Sequence, residues 1–237
     1  MAPPVRETFV ELGGKRVPVR LYRNTRARRI ILRINDRNGY GDGVSVTLPR
    51  RTPLREGLDL IHEKAAWVLE RLGGLPPRVA FADGARVPLG GVDHTIRHVL
   101  DGRGVVRGQG TEILVAGGAE HLARRFRDWL RKEARSQIGP LVGDKAAALG
   151  RTAGRITIRD TRSRWGSCSA DGNLSFCWRL VMAPETVLDY VVAHEVAHLA
   201  EPHHGPKFWR LVKTLTPDME ASREWLRHNG EALHRYG

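Results

Sequence analysis

The run His194-Glu195-Val196-Ala197-His198 sets two imidazoles four residues apart with a carboxylate beside them. On a helix, residues at that spacing project from one face a turn apart, so both rings can reach one metal ion at about 2.1 Å. In an HExxH arrangement the glutamate does not ligate. It holds the metal-bound water and accepts its proton as the water attacks a carbonyl. A hydrolytic site of this kind needs a third protein ligand, leaving the fourth position for water. His204 lies six residues after His198, the offset of the third histidine in the HExxHxxGxxH pattern, and is the leading candidate. Where that pattern has glycine to end the helix, this chain has Glu201 followed by Pro202, so the turn must be made differently. Met219 downstream lacks an evident tight turn, and a metzincin assignment is not supported. His203 is an alternative ligand or a hydrogen-bond donor to the reacting oxygen, Glu201 an alternative ligand or a group that orients a histidine, and Glu220 and Glu224 on the following helix would serve in a two-His-one-Glu site.

These residues need a rigid support, and the sequence supplies one. Residues 184–200 read as a helix: Pro184 suits its first position, Glu185 favours its positive end, and Pro202 forbids continuation. Its other faces are apolar (Leu188, Val191, Val192, Val196, Leu199), which places the histidines where unliganded polar groups are costly. Upstream, RITIR (155–159) alternates like a strand, and Asp171-Gly172 predicts a hairpin within the next segment. Earlier, a helix begins near Glu120 with Leu122, Phe126, Trp129 and Leu130 on one side, and Gly139-Pro140 is expected to break or kink it. The N-terminal part reads as strands around Val17–Leu21, Ile30–Ile34 and Val44–Leu48, with Asn38-Gly39 and Asp42-Gly43 marking a hairpin. One helix runs from Leu54 to Leu72, then short strand candidates at 86–89, 92–100 and 111–115. No internal repeat is evident. The expectation is an α+β protein: an N-terminal β-rich basic domain with one packed helix over 1–117, then a compact catalytic domain over 118–237.

Composition narrows the classes. The 237 residues are 41% hydrophobic and 27% charged, which excludes a disordered or collagen-like chain. No uncharged apolar run reaches the roughly 18 residues of a membrane span, and the N-terminus has no signal-peptide pattern. Cys168 and Cys177 are too few and too far apart for a disulfide framework or a thiolate metal site, so free thiols in a cytoplasmic setting are expected. The formal charge is +13. Residues 15–37 hold nine basic side chains against the single acid Asp36, whereas 185–237 hold eight acids and six bases. The basic half therefore suits nucleic acid or another phosphate-rich ligand, or is simply a solvated arginine-rich surface.

Several blocks in order resemble the YgjP-like metallopeptidase family, which is similar to the SprT and WLM zincin-like proteases. They are SRWGSCS (Ser163–Ser169), Trp178-Arg179-Leu180, Pro184, Tyr190 through Leu199, and HGPKFW (His204–Trp209), with TRARRI (Thr25–Ile30) extending the likeness into the N-terminal half. The resemblance implies zinc at His194, His198 and His204, Glu195 as general base, a compact zincin-like domain and a polypeptide substrate. His203 stands where an asparagine is expected. In such folds a strand edge beside the metal helix pairs with an extended substrate, so 155–168 could wall the cleft, with Arg164 and Trp165 either lining it or acting as packing anchors. Two other functions fit the residues: metal-dependent nucleoside triphosphate hydrolysis, and a non-catalytic zinc-stabilised nucleic-acid-binding module. The adjacent Glu195 argues against the latter, because structural sites are closed by four protein ligands.

Overall fold

The computed structural model describes residues 4–35, 42–100, 105–161 and 164–237. The architecture is α+β, with three sheets and six α-helices among the described residues, and the chain divides into two compact units, Met1–Leu75 and Pro76–Gly237.

In the first unit β1 (Arg6–Leu12), β2 (Lys15–Arg23), β3 (Ile31–Asn35) and β4 (Gly43–Leu48) form a sheet in the order β1-β2-β4-β3. β2 pairs parallel to β4, with Val19 opposite Val44 and Leu21 opposite Val46, so the alternating apolar residues of both strands share one face. Ile61 and Val68 cover that face from α1 (Leu54–Glu63) and α2 (Ala65–Gly73). The single helix expected from Leu54 to Leu72 is thus two, interrupted at Lys64 (φ −98°, ψ 20°). β3 and β4 pair antiparallel as a hairpin would, while the Asn38-Gly39 turn lies outside the described residues.

The second unit opens with β5 (Arg86–Leu89), β6 (Val92–Val99), β7 (Val106–Gln109) and β8 (Glu112–Ala116), ordered β5-β6-β8-β7. This repeats the pairing pattern of the first sheet: an antiparallel hairpin, a parallel pair, then an antiparallel edge. Only Leu-Gly-Gly at the two hairpin turns (Leu12-Gly13-Gly14, Leu89-Gly90-Gly91) hints at it in sequence, so the repeat was invisible to patterning. Ile96, Ile113 and Val115 of this sheet share a core with Leu122 and Phe126 of α3 (Leu122–Ala148). Residues 76–117 therefore pack with the C-terminal part of the chain, and the contact boundary falls at Leu75–Pro76 instead of near residue 117.

Every fourth residue of α3 from Leu122 to Ala146 is buried. Four residues turn 400°, so this line shifts by about 40° per step and presents successive parts of the helix to different partners. It meets β7 and β8 first, and α4 (Glu185–Ala197) and β9 (Ile156–Arg159) as well. Of the break or kink expected at Gly139-Pro140, the break does not occur: α3 runs on through Pro140. An interior proline costs about 3 kcal/mol, and the flanking buried Ile138 and Val142 supply apolar burial of comparable size. The third sheet, β10-β11-β9, pairs β10 (Gly166–Cys168) antiparallel to β11 (Leu174–Cys177) across the predicted Asp171-Gly172 turn, and β11 parallel to β9. A 3-10 turn (Trp178–Met182) leads into α4, and α5 (Pro206–Leu215) and α6 (Met219–Leu233) pack around it. No described helix is long and apolar enough to cross a membrane.

Candidate metal centre

α4 is buried on nearly every side, as a helix apolar all round must be. Pro184 caps it from an extended conformation instead of opening its first turn. The helix ends at Ala197, with His198 as the capping position. Without the glycine of the related pattern, the chain leaves by a tight turn in which the Ala200 and Glu201 amides both donate to the Ala197 carbonyl (3.1 and 2.9 Å), and Pro202, which has no amide hydrogen, stops any further turn. The Gly205 amide then donates to the His203 carbonyl (2.7 Å), and Pro206 opens α5. This path folds His204 back over α4.

Three imidazoles converge as a result. Ring centroids lie 5.1 Å apart for His194 and His198, 5.0 Å for His194 and His204, and 4.7 Å for His198 and His204. Their ligating nitrogens fall within 4.8 Å of one another, and among the described residues this is the group of three potential ligands so placed. The Nε2 atoms of His194 and His204 are 3.1 Å apart, close to the roughly 3.4 Å between two ligands of a tetrahedral ion at about 2.1 Å. His198 Nδ1 faces the Glu201 carbonyl at 3.2 Å, which as a donor leaves its Nε2 lone pair for the cluster. His194 Nδ1 is buried and has no hydrogen-bond partner among the described residues. Burial first, then His198 and His204, push His194 down to about pKa 4, and burial also lowers His198. Three imidazoles aimed at one point are the donor set a borderline divalent cation takes, so the residues fit a metal.

The wholly buried Phe208 ring touches all three histidines, with centroids 5.0, 4.5 and 4.7 Å away, and Trp209 lies along His204 at 5.7 Å. The Arg223 guanidinium in turn sits 4.6 Å over Trp209. Nothing in the spacing of the sequence singled out Phe208 or Arg223, because their role depends on how α5 and α6 pack.

Glu195 is 6% exposed, and burial pushes its carboxyl up to about 7, with Arg164 opposing the shift. Its side chain lies across β10: a Cβ on Gly166 would stand 2.4 Å from Glu195 Cγ. The glycine in the WGSC segment is thus a close approach of strand to carboxylate. Beside it opens a cleft of about 1090 Å³, lined by Arg151, Arg164, Cys168, Glu195 and the three histidines among others.

The structure separates the remaining candidates. Glu201 contributes its carbonyl to His198 while its carboxylate pairs with Lys207 (3.4 Å). Glu224 pairs with Arg227 and, like Glu220 and His203, is not in the histidine group. Arg164 lines the cleft, whereas Trp165 is a packing anchor, stacked on His234 at 4.3 Å. Trp178 is in the core, and the fully buried Arg179 pairs with Asp160 and donates to the Tyr236 carbonyl. Both cysteines are free thiols.

An α+β unit that gathers three imidazoles and a buried carboxylate at an open cleft has the build of a metal-dependent hydrolase. Residues 28–229 match the YgjP-like, metallopeptidase domain family, and the chain belongs to it: this is a metallopeptidase. No curated protein matches the chain. Among solved structures, the metallopeptidase zymogen of Pyrococcus abyssi abylysin is similar at 22% identity over 40% of this chain and 93% of that chain, with a TM-score of 0.35.

Proposed function

We propose that His194, His198 and His204 hold a zinc ion and that Glu195 is the general base of peptide-bond hydrolysis. Imidazole ligands suit zinc, which when bound would polarise the scissile carbonyl and acidify a water. Glu195 then takes the proton of the attacking water and delivers it to the leaving amine nitrogen. Burial of the carboxyl favours its protonated form, which eases uptake of the water's proton. Among the described residues β10 is an edge strand, paired only to β11, so its outer backbone groups can align an extended substrate by strand addition beside Glu195. Phe208 fixes the three rings from behind and Arg164 faces the substrate side.

The observation that carries this reading is the convergence of the three ligating nitrogens within 4.8 Å, with Glu195 between His194 and His198 in sequence and facing the same cleft. The test is elemental analysis of purified protein joined to turnover of an unfolded protein substrate and of nucleoside triphosphates. About one zinc per chain and peptide turnover are expected. Glu195→Gln should keep the metal and lose about 10²- to 10⁴-fold in turnover, and His194→Ala should lose both. Triphosphate turnover without peptide turnover, or unchanged rates in Glu195→Gln, would overturn the proposal.

A further inference from the structure

The first sheet gathers arginines that are far apart in sequence. β2 and β4 run parallel and end together, with Arg23 opposite Leu48, and β3 starts at that same end, with Ile31 opposite Thr47. Because β4 lies between β2 and β3, the connection over 24–30 must cross the end of β4, where the 49–53 connection to α1 departs. The two loops therefore lie against each other, and the backbone ties them: the Asn24 amide donates to the Leu48 carbonyl (3.0 Å), and Arg23 Nη1 donates to the carbonyls of Pro49, Arg50 and Thr52 (3.1, 2.7 and 2.9 Å). Within the first loop, Asn24 accepts from the Arg26 and Ala27 amides, so it is a formed turn.

Arg23 and the buried Arg20, which pairs with Glu7, are used up in holding the fold. Arg26, Arg28 and Arg29 from one loop and Arg50 and Arg51 from the other are exposed, and no acid occurs in 24–30 or 49–53. Arg55 comes next, in the first turn of α1, already paired with Asp59 at 3.6 Å. Adjacent strands are about 4.8 Å apart, so the five exposed guanidiniums spread over a platform roughly 10–15 Å wide. The loops offer no aromatic and no exposed large apolar side chain, the anchors a protein partner would need. Such a surface suits a regular row of charge read without anchors: the phosphate backbone of a nucleic acid, one negative charge per about 1.7 Å of duplex.

We infer that this two-loop arginine platform binds nucleic acid through phosphate contacts, without reading sequence. The test is fluorescence anisotropy of the full chain with labelled duplex DNA of about 20 base pairs across a salt series. About five contacts predict a log–log slope near −4.5, a weakening of about 10²- to 10³-fold between about 50 and about 200 mM salt. Arg50→Gln/Arg51→Gln should flatten the slope by about 2, and Arg26→Gln/Arg28→Gln/Arg29→Gln by about 3, with unfolding temperature unchanged because these side chains are exposed. The control is Arg131→Gln/Lys132→Gln, which removes equal charge from the exposed face of α3 and should leave the slope alone. Salt-insensitive or absent binding, an equal effect of the control pair, or equally tight binding of polyglutamate would overturn the assignment.

Discussion

The two four-stranded sheets share a pairing pattern, a Leu-Gly-Gly hairpin turn and a helix after the last strand, yet their ends differ in character. At the end of the first, the loop after β4 is Pro49-Arg50-Arg51 and stays exposed. At the equivalent end of the second, the loop after β8 is Gly117-Gly118, covered by the Arg125 side chain, which donates to the Ala116 carbonyl, and held by the backbone, where the Gly117 amide donates to the Val99 carbonyl (3.0 Å). The second sheet also ties to the site-bearing part of the chain, since the Gly90 and Gly91 amides donate to the Val181 and Met182 carbonyls (2.8 and 3.2 Å), just ahead of α4. One topology thus ends in exposed arginines in one copy and is tied to the chain just ahead of the helix that carries His194 and His198 in the other. The segment that leaves each sheet, and not the sheet itself, decides its use.

The largest effect that could break this division is at Gly166. In Gly166→Ala the new Cβ would start 2.4 Å from Glu195 Cγ, so strand or carboxylate must shift. Displacement of a catalytic group by about 1 Å costs about 10²-fold in rate, and overpacking of this kind about 1–3 kcal/mol in stability. Steady-state turnover and thermal unfolding measure the two, and DNA affinity should not change. A fall in DNA affinity alongside turnover would show that platform and site are not separate.

A second effect is confined to the site and depends on pH. In the metal-free protein His194 stays neutral to about 4, whereas the unfolded chain protonates it near 6.5. The unfolded state then binds more protons, and stability falls as pH drops from 6.5 toward 4. Glu195 acts oppositely: it keeps its proton to about 7 when folded and releases it near 4.5 when unfolded, so its contribution is lost as pH rises through that window. The two offset each other in wild type. Chelator-treated Glu195→Gln should therefore lose stability on acidification more steeply than chelator-treated wild type, as read by urea titrations at pH 7, 6 and 5. Parallel profiles would mean that the burial of these two groups does not set the acid response.

Much of the site was legible because helical spacing is a local property. His194, His198 and Glu195 follow from one turn of helix, and His204 follows from an offset. The cluster's walls were not legible, since Phe208 reaches the rings only through the packing of α5 on α4, and Gly166 meets Glu195 only because β10 runs beside that helix. Strand alternation gave β2, β3 and β4 but missed β1, whose outer face carries an exposed Phe9 under Arg16 next to the inward Val10, so that apolar and polar residues do not simply alternate. At Pro140 local propensity predicts a break or a kink, and the buried line of α3 keeps the helix unbroken. The arginine platform was half visible, as the charge of 15–37 includes Arg20 and Arg23, which are structural, and omits Arg50 and Arg51, which only the parallel register brings in.

The smallest effect sharpens the comparison most directly, because it asks the same question of both hairpins. Gly14 and Gly91 occupy the same turn position with φ of 76° and 79°, so alanine at either incurs the left-handed cost of about 1–2 kcal/mol. Around Gly14 an added Cβ meets nothing within 4 Å, but at Gly91 it would lie 2.9 Å from Cγ of Pro184, the residue that caps α4. Gly91→Ala should therefore destabilise by about 1–3 kcal/mol more than Gly14→Ala. It should also lower turnover, since the push falls on the start of the helix that carries His194 and His198, whereas Gly14→Ala should leave turnover at the wild-type value. Equal losses of stability and unchanged turnover in both would show that the second sheet does not brace α4 through this hairpin, and the two copies would differ only in charge.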